Sequence, residues 1–370
     1  MLTSIILLVI GLVVILASAE LFTNGIEWLG RKLRLSEGAV GSVLAAVGTA
    51  LPETLVPMVA VLIRGGESAK HVGVGAILGA PLMLSTLAMC VTGLAVHAYR
   101  KRRRGAQRLR INRQVLSRDL GFFLFLYPLA AAAGFFPPSH WRLGFCAALL
   151  LGYVYYLYLN FRETAAHHGE LAPLRLHVIA GLTLLPREGE DRHAVRRRRQ
   201  KLHAATPHLL VVLIQVGMAL AGIVVGAYVF VGAIQVLAKA VGIAPLVLSL
   251  VITPIATELP EKFNSVLWVR QGKDTLALGN ITGAMVFQSS FPTAVGITWT
   301  DWNLFHRRVG EWSPDGLISV VIALAAALVV LLSARRPQGP EGELRTSLNP
   351  WVLVGMVGLY AVFLAAAFVW

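Results

Sequence analysis

Charge is scarce in this 370-residue chain: Asp, Glu, Lys and Arg make up only 14% of it, against 56% hydrophobic residues. Soluble globular domains carry about 25% charged residues. Such a chain has too little polar surface to cover a water-soluble fold. Cysteine is nearly absent. The two present, Cys90 and Cys146, sit inside apolar runs, with no CxxC or Cys/His cluster, which argues against a zinc centre or a disulfide framework. A basic leader is missing too. The first apolar run opens with Met1-Leu2-Thr3-Ser4, without the positive n-region of a cleaved signal, although Ala17-Ser18-Ala19 has the small residues of a cleavage site. That run is long enough to span a bilayer and is read as a retained helix. The spans hold no His/Glu metal motif and no Ser/His arrangement, so neither an enzyme nor a cofactor is expected.

What the chain has in quantity is long apolar runs. A helix needs about 20 apolar residues to cross a bilayer. Ten candidates are legible, at roughly 2–22, 37–63, 71–98, 119–136, 141–160, 208–238, 244–269, 275–299, 315–334 and 350–369. The second, third, seventh and eighth carry Gly, Pro, Thr or Glu where a lipid-facing helix would not. The net charge of +14 is confined to the loops, so it reads as positive-inside charge and nucleic-acid binding is not expected. Segments 99–118 and 161–207 hold Arg102-Arg103-Arg104 and Arg196-Arg197-Arg198-Arg199. With ten spans they fall on one side, together with 23–36, 270–274 and 335–349. That side is expected to be the cytoplasm, which leaves both termini outside. The two large basic segments read as solvated.

The chain also repeats itself. Residues 43–53 read Val-Leu-Ala-Ala-Val-Gly-Thr-Ala-Leu-Pro-Glu, and 251–261 read Val-Ile-Thr-Pro-Ile-Ala-Thr-Glu-Leu-Pro-Glu. Downstream, Gly75-Ala76-Ile77-Leu78-Gly79-Ala80 is answered by Gly279-Asn280-Ile281-Thr282-Gly283-Ala284. The first copy carries four more residues between its two motifs, about one helical turn. The copies begin in the second and seventh spans. An offset of five spans is odd, so the halves enter the membrane in opposite directions. The expected fold is an all-α polytopic membrane protein of about ten helices in two inverted five-helix repeats. Its divisions are a first repeat at 1–160, a basic cytoplasmic loop at 161–207 and a second repeat at 208–370. Inverted repeats in secondary transporters place the binding site near the midplane, where interrupted helices meet.

The motif chemistry fits that place. Glu53 and Glu261 lie mid-span at equivalent repeat positions. An acidic residue there costs about 2.5–3.5 kcal/mol on insertion scales and is by default functional. Pro52 and Pro260 lack an amide N–H and free the carbonyl one turn back. Freed carbonyls, the Thr49 and Thr257 hydroxyls and the carboxylates are hard oxygen ligands, suited to sodium, calcium or magnesium. Each threonine could instead bond back to its own helix. Glu258, whose counterpart is Ala50, is three residues from Glu261 and shares its helix face. Two such carboxylates titrate together unless a cation lies between them, which makes proton exchange chemically open. Glu258 could alternatively pair with a basic residue or face a vestibule. The glycines let helices approach closely. Asn280, Thr282 and Gln288 lie near the second motif as further oxygen ligands.

These residues resemble the cation/calcium exchanger superfamily, whose sodium/calcium exchangers carry two inverted repeats. The family pattern is roughly Gly-Thr-Ser-Leu-Pro-Glu in one helix and Gly-Asn-x-x-Gly-Ser-Asn/Asp in the next. The resemblance covers about 40 residues in each half, together with the ten-span layout. It implies an alternating-access antiporter, moving calcium or a related cation against sodium or protons; the short loops and the absence of a large intracellular domain suggest a bacterial inner membrane. Its expected partners are inorganic cations and the lipid bilayer. On this resemblance Glu53 and Glu261 match the paired glutamates, and Thr49 and Thr257 the threonines. The departures fall on ligands. The motif serine is Ala50 in one copy and Glu258 in the other. The Gly-Ser-Asn/Asp triplet reads Gly79-Ala80-Pro81 and Gly283-Ala284-Met285, and Ala76 stands where Asn280 keeps an Asn. This thins the oxygen shell that three sodium sites and one calcium site would need. Sodium/proton or other cation exchange on the same fold, and a non-transporting membrane protein without an ion site, are the alternatives. The expected ligand set is Glu53, Glu261, Thr49, Thr257, Glu258 and Asn280. Glu261→Gln is expected to abolish cation flux in proteoliposomes while membrane insertion stays at the wild-type level.

Overall fold

The computed structural model describes residues 1–33, 45–103, 108–136, 140–163, 173–176, 207–308, 311–334 and 345–369. The first repeat opens with α1 (Leu2–Lys32), which runs unbroken through Ala17-Ser18-Ala19. Next come α2 (Ala45–Met58), continued by a π turn at Val59–Arg64, and α3 (Glu67–Met83). A second π turn, Leu84–Ala88, leads without a break into α4 (Met89–Ala98). After β1 (Leu109–Asn112), α5 (Arg113–Ala132) and α6 (His140–Glu163) complete this half.

The second repeat starts with α7 (Leu209–Val241). The seventh span, read from sequence as one run, is split into α8 (Pro245–Thr257) and α9 (Leu259–Arg270), with Glu258 at the junction. The eighth is split into α10 (Asp274–Gln288) and α11 (Phe291–Trp299) at Ser289-Ser290. The split has a local cause. Pro260 and Pro292 each stand in the first turn of a new helix, where a missing N–H costs nothing. Pro52 and Pro81, in contrast, lie inside continuous helices. A ribbon of β2 (His306–Arg308) and β3 (Glu311–Ser313) precedes α12 (Asp315–Ser333). Finally β4 (Arg345–Leu348) leads into α13 (Pro350–Val369). Among the described residues, seven segments are long and apolar enough to cross a membrane as single helices. The seventh and eighth spans, both in the group marked by polar residues and Pro, are not among them.

Two apolar clusters hold the helices. The larger gathers Leu78, Phe123, Tyr127, Ile281, Trp302 and Phe363 from both halves. The smaller joins α1, α2 and α7 through Ile15, Phe22, Val56, Ile223 and Phe230, and reaches α8 at Leu248 and Ala256. The halves also approach closely where α3 crosses α8. A Cβ on Gly75 would lie 2.3 Å from the Leu246 carbonyl oxygen, and one on Gly79 would lie 2.2 Å from that of Leu250. Ser249 Oγ donates to the Val72 carbonyl at 2.7 Å across the same seam. The glycines of the second motif serve differently: a Cβ on Gly279 would lie 3.5 Å from the Val115 side chain, and one on Gly283 3.3 Å from the Tyr156 hydroxyl.

One face of the bundle corrects the reading of the first basic segment as solvated. Arg103 is buried, and its Nη1 and Nη2 contact Asp274 Oδ1 and Oδ2 at 2.5 and 2.9 Å. The Arg110 amide also donates to Asp274 Oδ2 at 2.9 Å, and β1 pairs antiparallel with β4. Segments 99–118, 270–274 and the end of 335–349 therefore share one face, as the crossing count requires. Pro173–Leu176, from the second basic segment, is held by Asn24 and Gln215: the Arg175 amide donates to Asn24 Oδ1 and the Leu176 amide to Gln215 Oε1, each at 2.9 Å. Gly79→Ala is expected to destabilise the protein by about 1–3 kcal/mol, since a backbone oxygen cannot yield as a side chain can. Gly279→Ala should be close to neutral, and thermal unfolding in detergent compares the two.

Candidate cation site

Three interrupted or strained segments bring polar side chains into the apolar interior. From α2 comes Glu53, one residue after Pro52 and 5% exposed. From the end of α10 comes Gln288, fully buried, whose Nε2 donates to Glu53 Oε2 at 2.6 Å. An ionised carboxylate only accepts hydrogen bonds, so the amide nitrogen must face it. Gln288 Oε1 is then turned elsewhere, buried and without a hydrogen-bond partner among the described residues. This contact joins the second span of one half to the eighth of the other. It also bears on the missing family ligands. Met285 is fully buried and apolar, and Gln288 lies three residues on, one turn further along the same face.

The third segment is the α8/α9 junction. Glu258 is fully buried there. The C-terminal end of α8 carries partial negative charge, which favours a cation, and the N-terminal end of α9 favours the carboxylate. A basic partner is present: Lys262 Nζ lies 3.9 Å from Glu258 Oε2 and donates to the Pro254 carbonyl at 3.4 Å. The sequence left pairing with a basic residue open, and the structure names Lys262. The i,i+4 spacing was the available signal.

The hydroxyls are mostly committed to their own helices. Thr257 Oγ1 donates to the Thr253 carbonyl at 3.1 Å, the back-bond that was the alternative to a ligand role, with its lone pairs still available. At the α10/α11 break, Ser289 and Ser290 donate to the Val286 carbonyl at 2.9 and 2.7 Å, and Thr293 to that of Gln288 at 2.8 Å. They cover carbonyls that the break leaves without helical partners. Ser85 and Thr86 do the same for Leu82 at the π turn, the equivalent repeat position. Asn280 is half-buried in α10, eight residues before Gln288, and so about 12 Å away along the helix axis. The side chains of Thr49 and Glu261 lie outside the described residues.

A buried acid that the sequence reading did not single out is Asp119 on α5. Its oxygens accept from Thr282 at 2.6 Å and from the Tyr156 hydroxyl at 3.1 Å, with Arg118 Nε at 3.7 Å. Thr282 is thereby committed to Asp119. The acid stood at the edge of an apolar run, where a boundary residue carries no distinguishing pattern. Among the described residues, no three His, Cys, Asp or Glu side chains converge.

The sodium/calcium exchanger protein family model matches residues 3–162 and 211–369. The chain belongs to that family. The two matched stretches leave out most of the basic segment between the halves. Among curated relatives, the inner membrane protein YrbG of Escherichia coli (strain K12) is 25% identical over 340 residues, covering 91% of this chain and 90% of its own. Among solved structures, an H+/Ca2+ exchanger, CAX, superposes with a TM-score of 0.64 at 14% identity, over 98% of this chain and 81% of its own. The sodium-calcium exchanger NCX_Mj does so with a TM-score of 0.54 at 18% identity, over 98% of both chains. At these identities the likeness is one of fold: a multi-pass exchanger membrane domain of two inverted repeats.

Gln288→Leu removes a donor from a buried carboxylate and is expected to destabilise the protein by about 1–3 kcal/mol. Adding Glu53→Gln should recover part of that loss, because a neutral amide is cheaper to leave buried. Denaturation of the two variants in detergent measures the difference.

Proposed function

We propose that this family member is a secondary antiporter moving calcium, or a related cation, against sodium or protons by alternating access. Its ion passes between Glu53 and Gln288 on one side and the α8/α9 junction on the other. The observation that supports this most directly is the Glu53–Gln288 hydrogen bond across the two halves. A buried acid of one repeat is held by an amide at a helix break of the other, and the buried Oε1 of that amide is a hard acceptor. Glu261, Thr49 and Thr257 complete the proposed oxygen set, with Glu258 as its second-repeat addition and Asn280 as an outlying contributor. Functional units at 1–160 and 208–370, joined by a basic loop at 161–207, would rock about this site. We place the protein in the cell inner membrane with both termini outside the cytoplasm, because a count of ten spans puts the Arg-rich segments of the sequence on one side.

A second reading, sodium/proton or other cation exchange on the same fold, is favoured by Lys262. Its ammonium offsets one of the charges that would hold a divalent ion. Radiolabelled calcium uptake into proteoliposomes, driven separately by a sodium and by a proton gradient, decides between them. The expected result is uptake under one gradient and at least tenfold less in Glu53→Gln. Sodium or proton flux without calcium movement selects the second reading. No cation movement under either gradient overturns both and leaves a membrane protein that does not transport.

A further inference from the structure

We infer that Lys262 is a tethered competitor for the cation position at Glu258, and so a residue that sets cation specificity. The assignment rests on the cation-site reading above, but not on transport.

The comparison between repeats carries it. At the positions equivalent to Glu258 and Lys262, the first copy has Ala50 and Thr54. One repeat therefore has neither charge and the other has both. In the second repeat the two are four residues apart across the start of α9, so they face each other. Glu258 is fully buried, while the Lys262 side chain is 12% exposed. A buried carboxylate needs a counter-charge, and here a side chain of the same helix supplies it.

The ammonium is loosely held between two oxygens rather than locked in a tight ion pair. Lys262 Nζ stands between a carboxylate oxygen at 3.9 Å and a main-chain carbonyl oxygen at 3.4 Å. A carboxylate and a helix-end carbonyl are also what an incoming alkali or alkaline-earth cation would use. Lysine is a point charge on a flexible four-carbon stem. It can be displaced from these oxygens without breaking a bidentate contact. A mobile cation that uses Glu258 must first displace Lys262. Selectivity then depends on which ion does so at the concentrations available, a difference of affinities built on repulsion as much as on attraction.

The test is thermal unfolding of the purified full-length protein in detergent, in choline, sodium or calcium chloride, for wild type, Lys262→Met and Lys262→Arg. Lys262→Met keeps the length of the stem and removes the charge. It is expected to be stabilised by sodium at a concentration about tenfold below that needed by wild type, and Lys262→Arg to follow wild type. The double variant E258A/K262T, which copies the first repeat, should lose the gain. A Lys262→Met protein that unfolds in choline but is rescued by sodium supports the assignment in its strongest form. Stabilisation no greater in sodium or calcium than in choline, an unshifted sodium concentration, or failure to fold in all three salts overturns it. Because the readout is binding, absence of flux in the wild type would count against the antiporter reading alone.

Discussion

A carboxylate in a hydrocarbon layer has to be answered by something, and much of this structure can be read as the answers to Glu53 and Glu258. Both positions are buried, and the chain provides an amide for one and an ammonium for the other. Both answers sit at helix interruptions. Gln288 is the last residue of α10, and Glu258 is the residue on which the seventh span breaks. Helix interruption at membrane depth is tolerated only where freed backbone groups find partners inside the protein. The hydroxyls of Ser289, Ser290 and Thr293 do that work at one break.

The two repeats meet the same constraint differently. Over its described residues, the first keeps the helices of its second and third spans continuous and relieves them through π turns, at Val59–Arg64 and Leu84–Ala88. The second breaks both equivalent spans outright. The placement of proline separates the cases, since Pro260 and Pro292 start helices whereas Pro52 and Pro81 are carried within them. A π turn leaves a helix bent but connected, while a break creates two new ends with their own dipoles. The charged additions Glu258 and Lys262 occur in the broken copy, where helix ends can bias them.

The fold was largely legible in the sequence because hydropathy and repetition are strong signals in membranes. The apolar runs, the inverted repeat and the shared face of segments 99–118, 270–274 and the end of 335–349 all came from those patterns. The site was legible where a residue was costly for its surroundings, as with Glu53 and Glu258. It was obscure where polarity was answered locally. Lys262 followed the motif directly, yet a positive charge in a span already marked by acids drew no separate notice. Gln288 was visible only as a nearby oxygen, because its value depends on a partner 235 residues away. Arg103 was read with its basic neighbours as solvated, and only tertiary contact with Asp274 sets it apart.

That last pair has a consequence for how the protein is made. Arg103 and Asp274 are separated by 171 residues. At synthesis rates of roughly 5–20 residues per second, on the order of 10–30 s pass between the emergence of one and the other. During that interval the guanidinium that the finished protein buries has no carboxylate to meet. β1 waits longer still, since its partner β4 follows the ninth crossing. The face that clamps the two halves together is thus assembled late, after most of the helices have been inserted. Until then the first repeat must persist in the bilayer with its polar edge in water.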